Sequence, residues 1–162
     1  SALFYLVSYV LTTLGTFGLI AFLSTKGFES EEIADLAGLS QRSPWAAGVM
    51  AIFMFSLAGL PPLVGFYAKV SVLQALVSTG QMLHVWLAVF AVLTSLIGAY
   101  YYIRVVKVMY FDASARAEGA LVRGRGASAL LALNGAAVLY FGILPGGLMN
   151  MCRDAIVKAL AG

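Results

Sequence analysis

The sequence predicts an all-α membrane protein: a polytopic transmembrane helix bundle of four spans, the second one discontinuous. Three observations carry this. The 162 residues are 62% apolar and 10% charged, with mean hydropathy +0.95. Soluble domains sit at roughly 45–50% apolar and 25% charged, so soluble enzyme classes are set aside. Four hydrophobic segments are long enough to cross a bilayer, which takes about 20 residues each. One of the four is too long for a single straight crossing and is broken by Leu57-Ala58-Gly59-Leu60-Pro61-Pro62-Leu63-Val64-Gly65.

The first segment runs from about Ala2 to Ser24. No positive region precedes its apolar run, so it is not a signal peptide. It reads as the start of a span within a longer protein. The second segment runs from about Pro44 to Val77. As one helix of about 34 residues it would be about 50 Å long, well over the roughly 30 Å of hydrocarbon. Pro61 and Pro62 lack the N–H of a helix interior and clash with the preceding turn. The expected result is two half-helices, about Pro44–Ala58 and Gly65–Val77, with Gly59, Pro61, Pro62 and Gly65 marking the break. Backbone of that kind is tolerated at membrane depth only against protein or a wet cavity. The third segment runs from about Met82 to Phe111, and the fourth from about Ala127 to Leu144, stopped by Pro145-Gly146-Gly147. Between the first two, Ser30–Leu36 predicts a short interfacial helix.

Charge sets the expected orientation. The loops at 25–43 and 111–127, with their flanks, hold Lys26, Arg42, Arg104, Lys107, Arg116, Arg123 and Arg125. The other face holds Arg153 and Lys158. The basic-rich face is expected to be cytoplasmic. The net charge of +3 fits membrane anchoring. The basic residues lack interleaved aromatics, so no nucleic acid is expected as a partner. The expected partner from composition is the lipid bilayer. Cys152 is the single cysteine, which excludes an internal disulfide and reads as a small apolar filler.

Lys69 carries the sharpest chemical signal. No other Lys, Arg, Asp or Glu lies between Arg42 and Arg104. An ammonium at membrane depth costs roughly 2.5–3.5 kcal/mol on insertion scales, so such groups are by default functional. Broken helices build ion sites in transporters, and Lys69 follows the break directly. It is expected near the N-terminus of the second half-helix, where partial positive charge disfavours a cation. The bland alternative is snorkelling to the interface, but about 12 Å of helix separate Lys69 from Val77. A lysine so placed is a candidate for proton transfer.

Other polar groups are candidates for lining a proton path: Tyr9, Thr12, Tyr67, His84 and Tyr101. Tyr5, Ser8, Tyr9, Thr12 and Thr16 share one face of the first span by i, i+3 and i+4 spacing. That face serves either helix packing or a hydrated surface beside Lys69, and both readings stay open. Tyr100-Tyr101-Tyr102 with Arg104 and Lys107 reads first as an aromatic belt with anchoring cations, with one tyrosine turned inward as the alternative. His84 is either an interfacial histidine or a group for proton entry or exit. A lone histidine makes no metal site. With no phosphate-binding glycine loop, no Ser/His/Asp arrangement and no paired carboxylates, the chain is expected to carry no redox chemistry and no cofactor of its own.

Arg42-Ser43-Pro44-Trp45, the run Phe55 to Lys69 with its SLAGLPP-x-x-GF-x-x-K pattern, Ala99–Val106 and Asp35–Leu39 together resemble the antiporter-like membrane subunits of respiratory complex I. Within that family they look most like the subunit-N branch of bacterial NADH:quinone oxidoreductase. The M branch usually has glutamate where Lys69 stands, and the L branch continues into a long lateral helix. The resemblance implies that residues 1–162 are the C-terminal four-span part of a larger, fourteen-span antiporter-like domain. It implies a proton-translocating subunit in which Lys69 is the titratable residue of one half-channel. Other membrane-arm subunits of complex I and the N-terminal remainder of the same subunit would be its partners. NADH, FMN, iron–sulfur clusters and quinone are expected in other subunits. A cation/proton antiporter, a membrane hydrogenase subunit and a purely structural membrane module are the alternatives.

Overall fold

The structure, a computed structural model, describes residues 2–24, 32–113 and 125–161. Among these residues every regular element is a helix. In chain order they are α1 (Ala2–Leu23), a 3-10 turn (Ile33–Leu36), α2 (Leu39–Arg42), α3 (Pro44–Ala58), α4 (Val64–Val77), α5 (Met82–Phe111), α6 (Arg125–Ile143) and α7 (Pro145–Ala161). The chain is an all-α polytopic membrane bundle. α1, α5 and the Gly126–Ile143 part of α6 are long and apolar enough to cross a membrane, while α3 and α4 are shorter apolar helices.

α3 is the centre of the bundle. It packs against α1, α2, α4, α5 and α6, and Ala46, Ala47, Met50, Phe53 and Ser56 are each at most 1% exposed. A helix apolar on every side belongs in the middle of a core. α1 lays a small-residue face on it. Phe4, Ser8, Thr12, Gly15, Thr16, Leu19 and Leu23 are buried, which follows the i, i+4 stripe. Ser8, Thr12 and Thr16 each donate their hydroxyl to the carbonyl four residues earlier, at 2.7, 2.9 and 2.9 Å. These short side chains satisfy themselves on their own helix, so α1 and α3 can approach closely. Gly15 lies directly against the Phe53 ring, where a Cβ would overlap it.

Pro44 starts α3 at the first helical position, where its missing N–H costs nothing. The expected interfacial helix is a 3-10 turn closed by reciprocal contacts between Glu32 and Asp35. Ser30 and Glu31 lie outside the described residues. α2 follows it, and Arg42 donates from Nη2 to the Asp35 carbonyl at 3.1 Å.

The segment after α6 forms a further helix. Pro145-Gly146-Gly147 ends α6 as expected, but the tail is helical. α7 begins at Pro145 itself, because proline at the first helical position obstructs nothing. Leu148 and Cys152 anchor α7 to the core, while Met151, Val157 and Leu160 stay exposed. Lys158 lies in its last turn, where a cation meets the negative helix end favourably.

Candidate functional site

The break between α3 and α4 organises the site. α3 closes in a Schellman motif on Gly59, whose φ is +84°. The Leu60 N–H donates to the Phe55 carbonyl at 3.0 Å, and the Gly59 N–H to the Ser56 carbonyl at 3.0 Å. Glycine at this position reaches the left-handed region without a Cβ penalty. Gly59 to Leu63 is non-helical, and helix resumes at Val64. Pro61 and Pro62 therefore fall inside the break, while Gly65 is the second residue of α4.

A helix leaves four C-terminal carbonyls without helical partners. Here the backbone takes those of Phe55 and Ser56. The other two, Leu57 and Ala58, accept from Lys69 Nζ at 2.8 and 3.1 Å. The third ammonium proton goes to Ser95 Oγ on α5 at 2.9 Å. All three donors of the ammonium are thus used on neutral oxygens.

This geometry revises the expected surroundings of Lys69. It is the sixth residue of α4, one position further along than expected because α4 starts at Val64. Its side chain runs back toward the N-terminal end of its own helix, as helical side chains do. There it reaches the last turn of α3, which lies beside the start of α4. The field there is that of a helix C-terminus, which favours a cation, and not the N-terminal field expected from sequence order. Lys69 is half-buried, because it borders an open cleft.

The two half-helices are pinned side by side. The Gly65 N–H donates to Ser56 Oγ at 3.2 Å. Ser56 Oγ also stands 3.4 Å from Thr12 Oγ1 of α1. A Cβ on Gly65 would overlap the Ser56 carbonyl. From the other side α6 closes on the break: a Cβ on Gly142 would overlap the Pro62 carbonyl and Leu63.

The cleft has a volume of about 720 Å³ and lies between α1, α4, α5 and the end of α3. Its polar lining is Tyr5, Ser8, Tyr9, Thr12, Ser56, Lys69, Thr94, Ser95 and Tyr102. Among the described residues no carboxylate lines it. Tyr9 and Thr12 are therefore brought to the same cleft as Lys69. The Tyr5 and Tyr9 rings stack there at 6.2 Å. Thr12 spends its proton on the Ser8 carbonyl, so α1 both packs and lines the cleft.

Tyr67, His84 and Tyr101 lie outside the lining. Tyr67 is two residues from Lys69, about 200° around the helix, and packs on the core with its ring against Phe66 at 5.4 Å. Tyr101 is 54% exposed, and its neighbour Tyr102, a further 100° round, faces the cleft instead. His84 Nδ1 stands 2.7 Å from Thr79 Oγ1 in the α4–α5 turn, about 16 Å of helix from Ser95. Ser56 and Ser95 were not anticipated, and Tyr102, not Tyr101, is the tyrosine of its run that turns inward. Thr94-Ser95 is visible as a polar pair in an apolar span, but intramembrane serine usually serves packing. Only the fold shows which face meets Lys69.

Residues 1–113 match the family described as NADH:quinone oxidoreductase/Mrp antiporter, TM. The chain is 58% identical over 161 residues to NADH-quinone oxidoreductase subunit N of Herminiimonas arsenicoxydans, covering 99% of this chain and 32% of that protein. It is 59% identical over 157 residues to subunit N of Polaromonas naphthalenivorans, covering 96% and 31%. It thus spans about a third of the length of the curated relatives it matches. Among solved structures it resembles a chain of respiratory complex I from Thermus thermophilus with bound aureothin. That likeness has a TM-score of 0.74 and 29% identity, over 88% of this chain and 32% of that one. With the family match spanning more than half its length, this chain belongs to the NADH:quinone oxidoreductase/Mrp antiporter transmembrane family.

Proposed function

We propose that this chain is the C-terminal four-span part of a proton-translocating membrane-arm subunit of a bacterial NADH:quinone oxidoreductase, of the subunit-N type. Lys69 accepts and releases the proton. The observation that carries this reading is the environment of Lys69. It is the one Lys, Arg, Asp or Glu between Arg42 and Arg104. It is held at a helix break by neutral oxygens and opens onto a cleft of about 720 Å³.

The chemistry follows from the donor count. The ammonium uses all three protons on Leu57, Ala58 and Ser95. Loss of one proton to an acceptor in the cleft leaves an amine with two donors and a lone pair, so one of the three oxygens loses its partner. The cage therefore distinguishes the two protonation states, and the flexible lysine stem lets the nitrogen move when it changes state. Each charge moved against 100 mV costs about 2.3 kcal/mol, which electron transfer in other subunits would supply. Those subunits would bind NADH, FMN, iron–sulfur clusters and quinone. The N-terminal remainder of the same subunit would supply the charges that complete the path. The loops at 25–43 and 111–127 face the cytoplasm in this reading.

One observation favours a second reading. The same contacts make Lys69 a C-terminal cap for α3, a structural role that needs a cation but no proton exchange. Proton uptake by inverted membrane vesicles carrying the whole complex, normalised to assembled enzyme, tests the first reading. Lys69→Ala is expected to lose most NADH-driven uptake at unchanged assembly. Uptake at the wild-type level would remove Lys69 from the mechanism.

A further inference from the structure

We propose that the end of α3 and Ser95 form a binding site for a small monovalent cation of ammonium or potassium size, with the Lys69 ammonium as its tethered occupant. The inference rests on the oxygen cage and not on proton pumping.

The Leu57 and Ala58 carbonyls are the two that the Schellman motif leaves over. They converge with Ser95 Oγ, from a different helix, on a single point 2.8, 3.1 and 2.9 Å away. That point is occupied by Lys69 Nζ in this structure. Carbonyl oxygens of this kind replace the hydration shell of a permeating potassium ion in selectivity filters. Half-helix C-terminal ends coordinate monovalent ions in transporters. The spacing is that of an ammonium nitrogen, which matches potassium in size and is too wide for the smaller sodium and lithium ions.

The surroundings suit a free cation as well as a tethered one. Gly59 presents no side chain, and the Lys69 stem fills the space beside it, with Cδ, Nζ and Cε within 3.0–3.3 Å of where a Cβ would stand. Shortening residue 69 vacates that space and leaves the cage facing the cleft. There a small ion could keep water on its open side. The titratable groups facing the cage from the surrounding helices are Tyr5 and Tyr9 of α1 and Tyr102 of α5. With no carboxylate among the described lining, binding is weak, and the attraction is that of a helix C-terminus, about half a negative charge.

The test uses the full-length subunit within the purified complex. Hydrogen exchange of peptides covering residues 55–66 is followed in potassium, ammonium, lithium or choline chloride at equal ionic strength. In Lys69→Ala, potassium or ammonium is expected to slow exchange relative to choline, about tenfold at ten times the dissociation constant. Lithium is expected to do less. Adding Ser95→Ala should weaken the effect, and the wild type, its cage filled by lysine, should show none. Lys69→Ser serves where the alanine variant does not assemble. Equal exchange in potassium and choline overturns the site. So does an equal potassium effect in the wild type, which marks a general salt response. Failure of both variants to assemble in potassium-containing cells counts against it as well, since a free ion should replace the lost cap. Each of these results is independent of whether Lys69 carries protons.

Discussion

Gly65 is the residue on which the two half-helices meet. Its Cα lies against the Ser56 carbonyl with no room for a methyl group, and its N–H is one of the orphan donors of a new helix, answered by Ser56 Oγ. The neighbour is backbone, so it cannot rotate out of the way. Gly65→Ala is therefore expected to push α4 off the last turn of α3, at about 1–3 kcal/mol for overpacking. That displacement carries Lys69 away from Leu57 and Ala58. The expected outcome is a lower thermal unfolding midpoint of the purified complex together with reduced proton uptake. An unchanged midpoint would mean that the half-helices are not pinned here. Gly59 makes a different demand. Its φ of +84° is strained for any residue with a Cβ, so Gly59→Ala is expected to cost about 1 kcal/mol and to crowd the Lys69 stem. The same unfolding measurement checks this, and a midpoint at or above wild type would contradict it.

At the scale of elements, the break was legible because two independent arguments agreed. The segment was too long for one span, and its two prolines could not sit inside a helix. The half-helices then appear where those arguments put them, with α4 starting one residue early at Val64. What was not legible is the pairing across the break. Sequence order places Lys69 near the positive end of α4, whereas packing delivers its nitrogen to the negative end of α3. No local pattern encodes that reversal, since it depends on α4 starting beside the last turn of α3. The choice of Ser95 and Tyr102 over Tyr101 is equally nonlocal, being a matter of how α5 is rotated against α3 and α4. α7 was hidden for a simpler reason: Pro-Gly-Gly signals the end of one helix, and the same proline is a permitted first residue of the next.

At the scale of the molecule, α3 is covered and α4 is partly covered, while α5 leaves much of its surface open, including Trp86, Phe90, Leu96 and Tyr100. Lipid and the remaining two thirds of the subunit are the proposed cover. Orientation rests on charge alone, and Lys26, Arg116 and Arg123 lie outside the described residues. Single cysteines placed at 25–43 and at 111–127, in a Cys152→Ser background, are expected to resist a membrane-impermeant thiol reagent in intact cells and to react in inverted vesicles. Labelling of either loop from outside would reverse the assignment. The central claim is that Lys69 exchanges a proton and is not only a fixed cap for α3. Arginine separates these roles, because it keeps its charge under all conditions in a protein and still offers donors to the Leu57 and Ala58 carbonyls. The decisive measurement is NADH-driven proton uptake by vesicles carrying Lys69→Arg, normalised to assembled complex and set beside Lys69→Ala. Proton exchange predicts that arginine fails nearly as badly as alanine, whereas near-normal uptake with arginine and loss only with alanine would show that Lys69 serves as a static cation.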